Sequence, residues 1–331
     1  MVLRERDKVL LCLALALFGV AYALAFGSEP VSLGRAVSDT GSLDHRLLAT
    51  VRLPRVVLAV VIGAGLGATG AALQALLRNA LAEPYVLGVS GGSAFAATVA
   101  LLFGAGGAAV SAAPVTTLAA FVGGLLVTLA LLPLLRRFEG KSESVLLVGI
   151  VVNASASASI TFLKTVVSAN KAQELLFWLT GFLTVPTWPA LLVTALLVGL
   201  GILTLVIDAR GLDALGLGEA SAHSLGISVR GLAARTLVAC SLVTAAIVAV
   251  SGLIGFVGLL VPHGARLLGI RGTRPTLLAS ALLGIAVMTV CDGSSRILFR
   301  AVHTEIPVGA LTAMIGGPLF LVLLLRRRSG A

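Results

Sequence analysis

Charged residues are scarce in this sequence. Of its 331 residues, 11% are Asp, Glu, Lys or Arg and 58% are hydrophobic, whereas soluble domains contain about 25% charged residues. This composition excludes a soluble globular enzyme. Because a membrane-spanning helix takes about 20 apolar residues, we predict an all-α, polytopic membrane protein in which residues 1–331 form a single transmembrane domain.

Cysteine, histidine and acidic residues are also few. The three cysteines form no CxxC pair, and the four histidines are scattered along the chain, so we predict no metal site and no bound cofactor. We assign all 14 acidic residues to loops or to the ends of spans. Ion-coupled carriers usually bury carboxylates within the membrane, and this assignment therefore argues against a secondary transporter.

Two apparent nucleotide motifs are discounted. GLGATG at 65–70 matches a dinucleotide-binding loop by letter, but it lies inside an apolar span with no preceding strand. Gly63 and Gly67 form a GxxxG pair, for which close helix packing is the better explanation. GKS at 140–142 resembles the end of a Walker A loop, yet Leu135 occupies the position of its first glycine. We therefore predict that the chain catalyses no reaction and hydrolyses no ATP.

The basic residues indicate the orientation of the spans. We interpret the 24 Lys and Arg as a topology signal and not as a nucleic-acid surface. The apolar stretch 236–262 fits either one long helix or two passes, the second of them short and entered through Ser251-Gly252. Two passes give ten spans, with 16 basic residues inside and 8 outside, whereas one pass gives nine spans and an even split of 12 and 12. The positive-inside rule favours ten spans with both termini in the cytoplasm.

Three connecting segments carry further predictions. The stretch at 104–114 is expected to form the turn between the third and fourth spans. FWLTGFLT at 177–184 is too short to cross the membrane and is predicted to form a re-entrant or surface helix, before a full span at 189–207. The inner loop, residues 208–235, is predicted to contain two short helices at the membrane surface, which act either as a connector or as a docking surface for a partner.

Four blocks of the sequence resemble one protein family. The blocks are RLPRVVLAVVIGAGLGATGAALQALLRNALAEPYVLGVSGGS at 52–93, GLGEASAHSLGI at 216–227, GLIGFVGLLVPHGARLL at 252–268 and EIPVGALTAMIGGP at 305–318. Together they are similar to the FecCD-type permeases, the membrane subunits of type II ABC importers for haem, ferric siderophores and cobalamin. The chain departs from the family at Ala80, where a proline is usual.

This resemblance implies a fold and an assembly. The fold would be the ten-helix permease fold of type II ABC importers, in the bacterial inner membrane. A homodimer would enclose the pathway, two ABC ATPase subunits beneath it would hydrolyse ATP with Mg, and a periplasmic substrate-binding protein would dock above. Transport would proceed by alternating access. Arg52, Arg55 and Arg296 would bind glutamates of the binding protein; alternatively, Arg52 and Arg55 reach lipid headgroups.

The resemblance also implies roles for two further sets of residues. Segment 208–230 would form the coupling helices that receive the motion of the ATPase, with contacts from Leu212, Leu215, Glu219, Ala220, His223, Leu225 and Gly226. The fifth and tenth spans would line the pathway, with Asn153, Ser155, Ser159, Pro307 and Thr312. The alternative for the small residues of the fifth span is that they only permit tight helix packing.

Several functions remain open on the sequence alone. GGP at 316–318 and the histidines favour haem as the substrate, followed by a ferric siderophore, with cobalamin as the alternative. Outside this family, a channel would need a filter of repeated polar groups, which the sequence does not offer. A secondary transporter would need a site for a coupling ion, which the assignment of the acidic residues excludes.

Overall fold

The computed structural model describes residues 4–103, 109–137 and 142–328, and every regular element in these ranges is helical. The helices in chain order are α1 (Glu5–Ala25), α2 (Leu33–Ser38), α3 (Leu43–Arg46), α4 (Leu53–Leu76), α5 (Val89–Phe103), α6 (Ala109–Arg137), α7 (Ser142–Thr165), α8 (Ala169–Leu179), α9 (Trp188–Gly216), α10 (Glu219–Ser224), α11 (Val229–Ser251), α12 (Val257–Leu267), α13 (Thr273–Val302) and α14 (Val308–Arg328). A π-helical turn, Leu47–Arg52, leads into α4, and a 3₁₀ turn, Pro84–Leu87, precedes α5.

Two of the sequence predictions touch residues outside the described ranges. The predicted turn at 104–114 includes residues 104–108, which lie outside them, and α6 already begins at Ala109. The discounted GKS at 140–142 includes residues 140 and 141, which also lie outside them, and α7 begins at Ser142.

Ten helices of the described residues account for the predicted spans. Seven are long and apolar enough to cross a membrane, namely α1, α4, α6, α7, α9, α11 and α13, and α5 and α14 are shorter apolar helices. The remaining helix, α12, has only 11 residues, but a non-helical segment at 252–256 precedes it. At about 3.3 Å per extended residue and 1.5 Å per helical residue, the two together reach at most about 33 Å, enough to cross the hydrocarbon core.

Contacts between distant helices confirm that α12 returns across the fold. Lys8 Nζ donates to the Gly269 carbonyl oxygen at 2.7 Å, which places the start of α1 beside the end of α12. Asp213 Oδ1 accepts the Thr273 N–H at 2.7 Å, which places the end of α9 beside the start of α13. We call this side of the molecule the α10 end. The chain leaves it through α11 and comes back through 252–256 and α12.

The opposite side gathers the other helix ends. Arg55, near the start of α4, pairs with Glu305 after α13, with 2.6 Å between Nη1 and Oε1. Arg300, near the end of α13, donates to the carbonyl oxygen of Ser28, just after α1. We call this side the Arg55 end. Successive spans thus end alternately at the α10 end and at the Arg55 end, as ten passes require. The predicted all-α, ten-helix fold is therefore confirmed.

Helix α4 is the centre of the molecule. In the 18-residue apolar part of Leu43–Leu76, 78% of the residues are buried, compared with 28% in the corresponding part of α1. The predicted close packing of Gly63 and Gly67 is confirmed, because a Cβ atom at Gly63 would overlap the backbone of Gly284 on α13, and one at Gly67 would overlap the carbonyl oxygen of Ser280. Glycines therefore let α4 and α13 approach at backbone distance.

The prediction of two separate surface helices in the inner loop is wrong for its first half. Helix α9 continues without a break to Gly216, and only α10 is a separate short helix. The reason is packing, because the buried residues Leu205, Ala209, Leu212 and Leu215 recur at helical spacing and keep one face of α9 against the core beyond the predicted end of the span.

The short helix before α9 is displaced from its predicted position. FWLTGFLT was predicted to be helical at 177–184, but α8 ends at Leu179 and residues 181–187 form no regular element. Gly181 has a φ of +77°, which ends the helix because only glycine adopts this region readily. Its carbonyl oxygen accepts the Gly309 N–H at 3.0 Å. The non-helical segment thus packs against the start of α14.

Candidate functional site

A cavity of about 560 Å³ opens between α7 and α14. Ile150 and Asn153 of α7 border it on one side, and Ala310 and Ala313 of α14 on the other. Gly309 of α14 and Leu179 at the end of α8 also border it. The rest of the wall comes from the segments that precede α5, α9 and α12, through Glu83, Tyr85, Val86, Thr180, Leu253, Gly255 and Phe256. The wall is mainly apolar, and its polar side chains are one carboxylate, one phenol, one amide and one hydroxyl.

Asn153 is the predicted pathway residue that borders this cavity. Its Nδ2 donates to the Tyr85 carbonyl oxygen at 2.5 Å, and its Oδ1 accepts the Gly91 N–H at 3.1 Å. The amide therefore ties α7 to the start of α5. Asn153 also borders a second cavity of about 380 Å³, together with Ser157 and Lys164 of α7. It lies where the two cavities meet.

The other predicted pathway residues border neither cavity. Ser155 is exposed on α7, and Ser159 donates to the Ser155 carbonyl oxygen at 2.9 Å. Thr312 is buried and donates to the Gly309 carbonyl oxygen at 2.9 Å. Pro307 accepts the N–H of Leu311 and so belongs to the first turn of α14. The side-chain hydrogen bonds of Ser159 and Thr312 are thus local to their own helices.

Glu83 is a wall residue that the sequence analysis did not identify. It lies in the connector before the 3₁₀ turn, and its Oε1 accepts the backbone N–H of Phe256 at 2.7 Å. Phe256 has a φ of +67° and immediately precedes α12, so Glu83 satisfies a backbone donor at the start of this helix. The two residues are 173 positions apart, and no local sequence pattern could have paired them.

At the Arg55 end, the three predicted docking arginines lie together. Arg52, Arg55 and Arg296 border a cavity of about 210 Å³, with Glu29 and Glu305 also in its wall. Each arginine is more than 90% buried, although the sequence analysis treated them as surface residues. The burial is possible because groups of the same chain compensate the guanidinium charges.

Asp292 provides most of this compensation. It lies within α13 and is fully buried, with Oδ1 2.7 Å from Arg55 Nε and Oδ2 2.8 Å from Arg296 Nη2. The assignment of all acidic residues to loops and span ends is therefore wrong for Asp292. Asp292 is nevertheless unsuited to binding a coupling ion, because two arginines already neutralise this carboxylate. Arg55 Nη2 is buried with no acceptor among the described residues, so the cluster keeps one unsatisfied nitrogen.

Arg52 binds backbone carbonyl groups. Its Nη1 donates to Leu24 at 2.8 Å and to Ala25 at 3.0 Å, and its Nη2 donates to Glu29. These carbonyls belong to the end of α1 and the segment after it, so the guanidinium caps a helix terminus. The alternative that Arg52 and Arg55 reach lipid headgroups does not match this geometry.

At the α10 end, the predicted coupling residues divide into two groups. Leu212 and Leu215 are 1% and 3% exposed and pack into the core. The exposed group comprises Glu219, Ala220, His223, Leu225 and Gly226. Leu217, two residues before α10, is 75% exposed. The α10 segment thus offers apolar and acidic side chains to solvent while the leucines before it hold it in place.

Comparison with known proteins assigns the chain to a family. The model of the FecCD transport family matches residues 14–326, so the chain belongs to this family, as its sequence blocks predicted. It is an integral membrane permease of the ABC importer class.

Relatives extend over the whole chain. It is 36% identical over 326 residues to the vitamin B12 import system permease protein BtuC of Vibrio vulnificus, covering 98% of this chain and 95% of the relative. It is 36% identical over 291 residues to the hemin transport system permease protein HmuU of Yersinia pestis, covering 88% and 86%. A solved inward-facing structure of a metal-chelate type ABC transporter matches with a TM-score of 0.83 and 28% identity, covering 97% of this chain and 99% of that one.

Proposed function

We propose that the chain is one half of a homodimeric permease that works with two ABC ATPase subunits and a periplasmic substrate-binding protein to import a bulky metal complex by alternating access. The observation that carries this proposal is the mainly apolar cavity between α7 and α14, the fifth and tenth spans. ATP and Mg would be handled by the partner ATPase. The whole chain would act as a single transmembrane domain.

The proposed orientation places the α10 end in the cytoplasm of a bacterial cell, with both termini on that side of the inner membrane. The split of 16 basic residues inside against 8 outside supports it. In this orientation the Arg55 end faces the periplasm, where a binding protein would dock.

For the substrate we propose an iron complex, with haem ahead of a ferric siderophore and cobalamin as the alternative. Two aromatic residues, Tyr85 and Phe256, lie in the cavity wall beside Leu179 and Leu253. Aromatic rings stack favourably on flat conjugated systems, and the haem ring is one. A named hemin permease and a named vitamin B12 permease are equally identical to this chain, so overall identity does not separate these substrates.

Uptake into reconstituted vesicles tests the class and the substrate together. We expect haem, supplied with its binding protein, to accumulate only when the cognate ATPase and trapped ATP are both present. Accumulation without ATP would indicate a channel, and accumulation driven by an ion gradient would indicate a secondary transporter. Uptake of cobalamin but not haem in the same vesicles would replace the proposed substrate while leaving the importer assignment intact.

We also propose that the cavity around Arg52, Arg55 and Arg296 receives a glutamate of the binding protein. Each of the two permease copies would bind a glutamate from one of the two lobes. Three guanidinium groups border this cavity at the Arg55 end. A carboxylate suits such a fork of donors.

Replacing Arg52 by glutamine should lower the affinity of the permease for the binding protein about fivefold at low salt. This change corresponds to a loss of roughly 1 kcal/mol of binding free energy. Because the lost interaction is electrostatic, the difference should shrink at high salt. The matched control is Arg300→Gln, an exposed arginine that donates to the Ser28 carbonyl oxygen and should change the affinity less. An Arg52→Gln defect that is independent of salt would assign Arg52 a purely structural role.

A further inference from the structure

Helix α9 carries an apolar stripe that none of the described elements covers. Five of its residues recur at spacings of three or four, and each is 49% to 69% exposed: Leu192, Leu196, Leu200, Leu203 and Ile207. In a membrane protein, such a face is suited to contact with acyl chains. The segment from Trp188 to Ile207 has about the length needed to cross the hydrocarbon core, so the residues that follow Ile207 lie at the level of the lipid headgroups.

A polar cavity begins where this stripe ends. It has a volume of about 350 Å³ and lies between the end of α9 and the start of α11, bordered by Ile207, Asp208, Arg210, Ser228 and Arg235 among others. Because Arg210 follows Ile207 by three positions, it lies on the same face of the helix as the stripe. The cavity therefore joins an apolar, lipid-facing surface to a basic group at headgroup depth.

The charged residues that border this cavity, Asp208, Arg210 and Arg235, carry one more positive charge than negative charge. Asp208 is already paired, since Arg235 Nη2 lies 2.8 Å from its Oδ1 and Arg235 Nε donates to both of its oxygens at 3.2 Å. This pairing leaves Arg235 Nη1 outside the ion pair. Arg210 is exposed and makes no ion pair among the residues that the structure describes. Arg210 and Arg235 Nη1 thus remain as donors for an anion.

We infer that this cavity binds the anionic headgroup of a phospholipid whose acyl chains lie along the α9 stripe. Guanidinium groups bind phosphate oxygens through paired hydrogen bonds, and the basic charge is complementary to the anionic lipids of the cytoplasmic leaflet. The ATPase is a competing occupant, because Gly226, one of the predicted coupling residues, also borders the cavity. The lipid is favoured because an apolar stripe of membrane length leads directly to the cavity mouth at Ile207.

Native mass spectrometry of the purified permease tests this inference, with phosphatidylglycerol and phosphatidylcholine of identical acyl chains as probes. The wild type should retain phosphatidylglycerol more tightly. Arg210→Gln should weaken the binding of phosphatidylglycerol about fivefold, because one basic residue near an anionic surface contributes about 1 kcal/mol. The binding of phosphatidylcholine should be unchanged. Arg210→Lys should keep most of the affinity. Arg235 is left intact, because its loss would leave the buried Asp208 unpaired.

The matched control is Arg274→Gln. Arg274 is an exposed basic residue at the same end of the molecule and does not border the cavity, so this variant should bind both lipids as the wild type does. Equal binding of the two lipids by the wild type, or equal loss of both in Arg210→Gln, would overturn the inference. Displacement of phosphatidylglycerol by millimolar inorganic phosphate would identify a site for a free anion. Unchanged lipid binding with weaker ATPase association in Arg210→Gln would assign the cavity to the ATPase interface.

Discussion

Replacing Asp292 by alanine is expected to prevent stable folding of the permease. This fully buried carboxylate lies within 2.8 Å of nitrogen atoms of both Arg55 and Arg296, so its removal leaves two buried guanidinium groups without their main counter-charge. Removing one partner of a buried ion pair costs about 3–5 kcal/mol, a large part of the roughly 5–15 kcal/mol that keeps a typical protein folded. Thermal unfolding and the yield of monodisperse protein in detergent measure the effect.

Two further variants separate charge from packing. Glu305→Gln removes a carboxylate that also pairs with Arg55 but is 39% exposed, and it should lower stability much less, because solvent screens this pair. The triple variant Arg55→Met, Asp292→Leu and Arg296→Met removes every charge of the buried pairs at once and should recover much of the stability lost in Asp292→Ala. An Asp292→Ala protein as stable as the wild type would show that these ion pairs do not hold α4 and α13 together.

Changing α10 should abolish ATP-driven uptake while leaving the permease folded. Proline at Ala222 removes the N–H that bonds to the Gly218 carbonyl oxygen at 3.0 Å and breaks the helix at a cost of about 3 kcal/mol or more. Glu219→Arg reverses an exposed charge on the same helix. If α10 receives the motion of the ATPase, both variants should lose uptake but elute as the wild type in size-exclusion chromatography. Normal uptake by Ala222→Pro would reduce the segment to a connector.

An exchange of charges distinguishes a contact with the ATPase from a contact within the permease. Glu219 Oε1 lies 3.6 Å from Arg78 Nη2, and both side chains are about half exposed. Arg78→Glu combined with Glu219→Arg would restore this internal pair but present the opposite charge to a partner. If Glu219 contacts the ATPase, the double variant should remain inactive. Recovered uptake would place the role of Glu219 inside the permease.

The sequence alone predicted the ten-helix fold and the family. Apolar runs marked the spans because the hydrocarbon core sets their length, and the distribution of Lys and Arg decided between one and two passes at 236–262. An apolar run is a local property of the chain, and the Lys and Arg residues on each side are simply summed. Both can therefore be evaluated without knowledge of how the helices pack. The sequence also predicted that the second of these passes is short and is entered at Gly252. It did not show that Phe256, just before α12, has a positive φ and donates to Glu83, 173 positions away.

The candidate site was predicted only in part. Asn153 was named because the family resemblance implies that the fifth span lines the pathway, and it does border the cavity. Glu83 was placed in a loop, and its bond to Phe256 spans 173 positions. Asp292 was placed at a span end, although its partner Arg55 lies 237 positions away. Whether a charged residue is exposed or neutralised depends on such a partner, and composition and spacing do not reveal it.

By itself, the sequence determined the class of membrane protein, the number of passes and the close contact at Gly63 and Gly67. Only the tertiary structure decided which arginines are buried, which carboxylates pair with them, and that α9 extends to an exposed Arg210 beside a headgroup-sized cavity. The physical reason is that each residue's tendency to leave water depends on its own side chain and can be judged from the sequence. The compensation of a buried charge, by contrast, requires partners that only folding brings together.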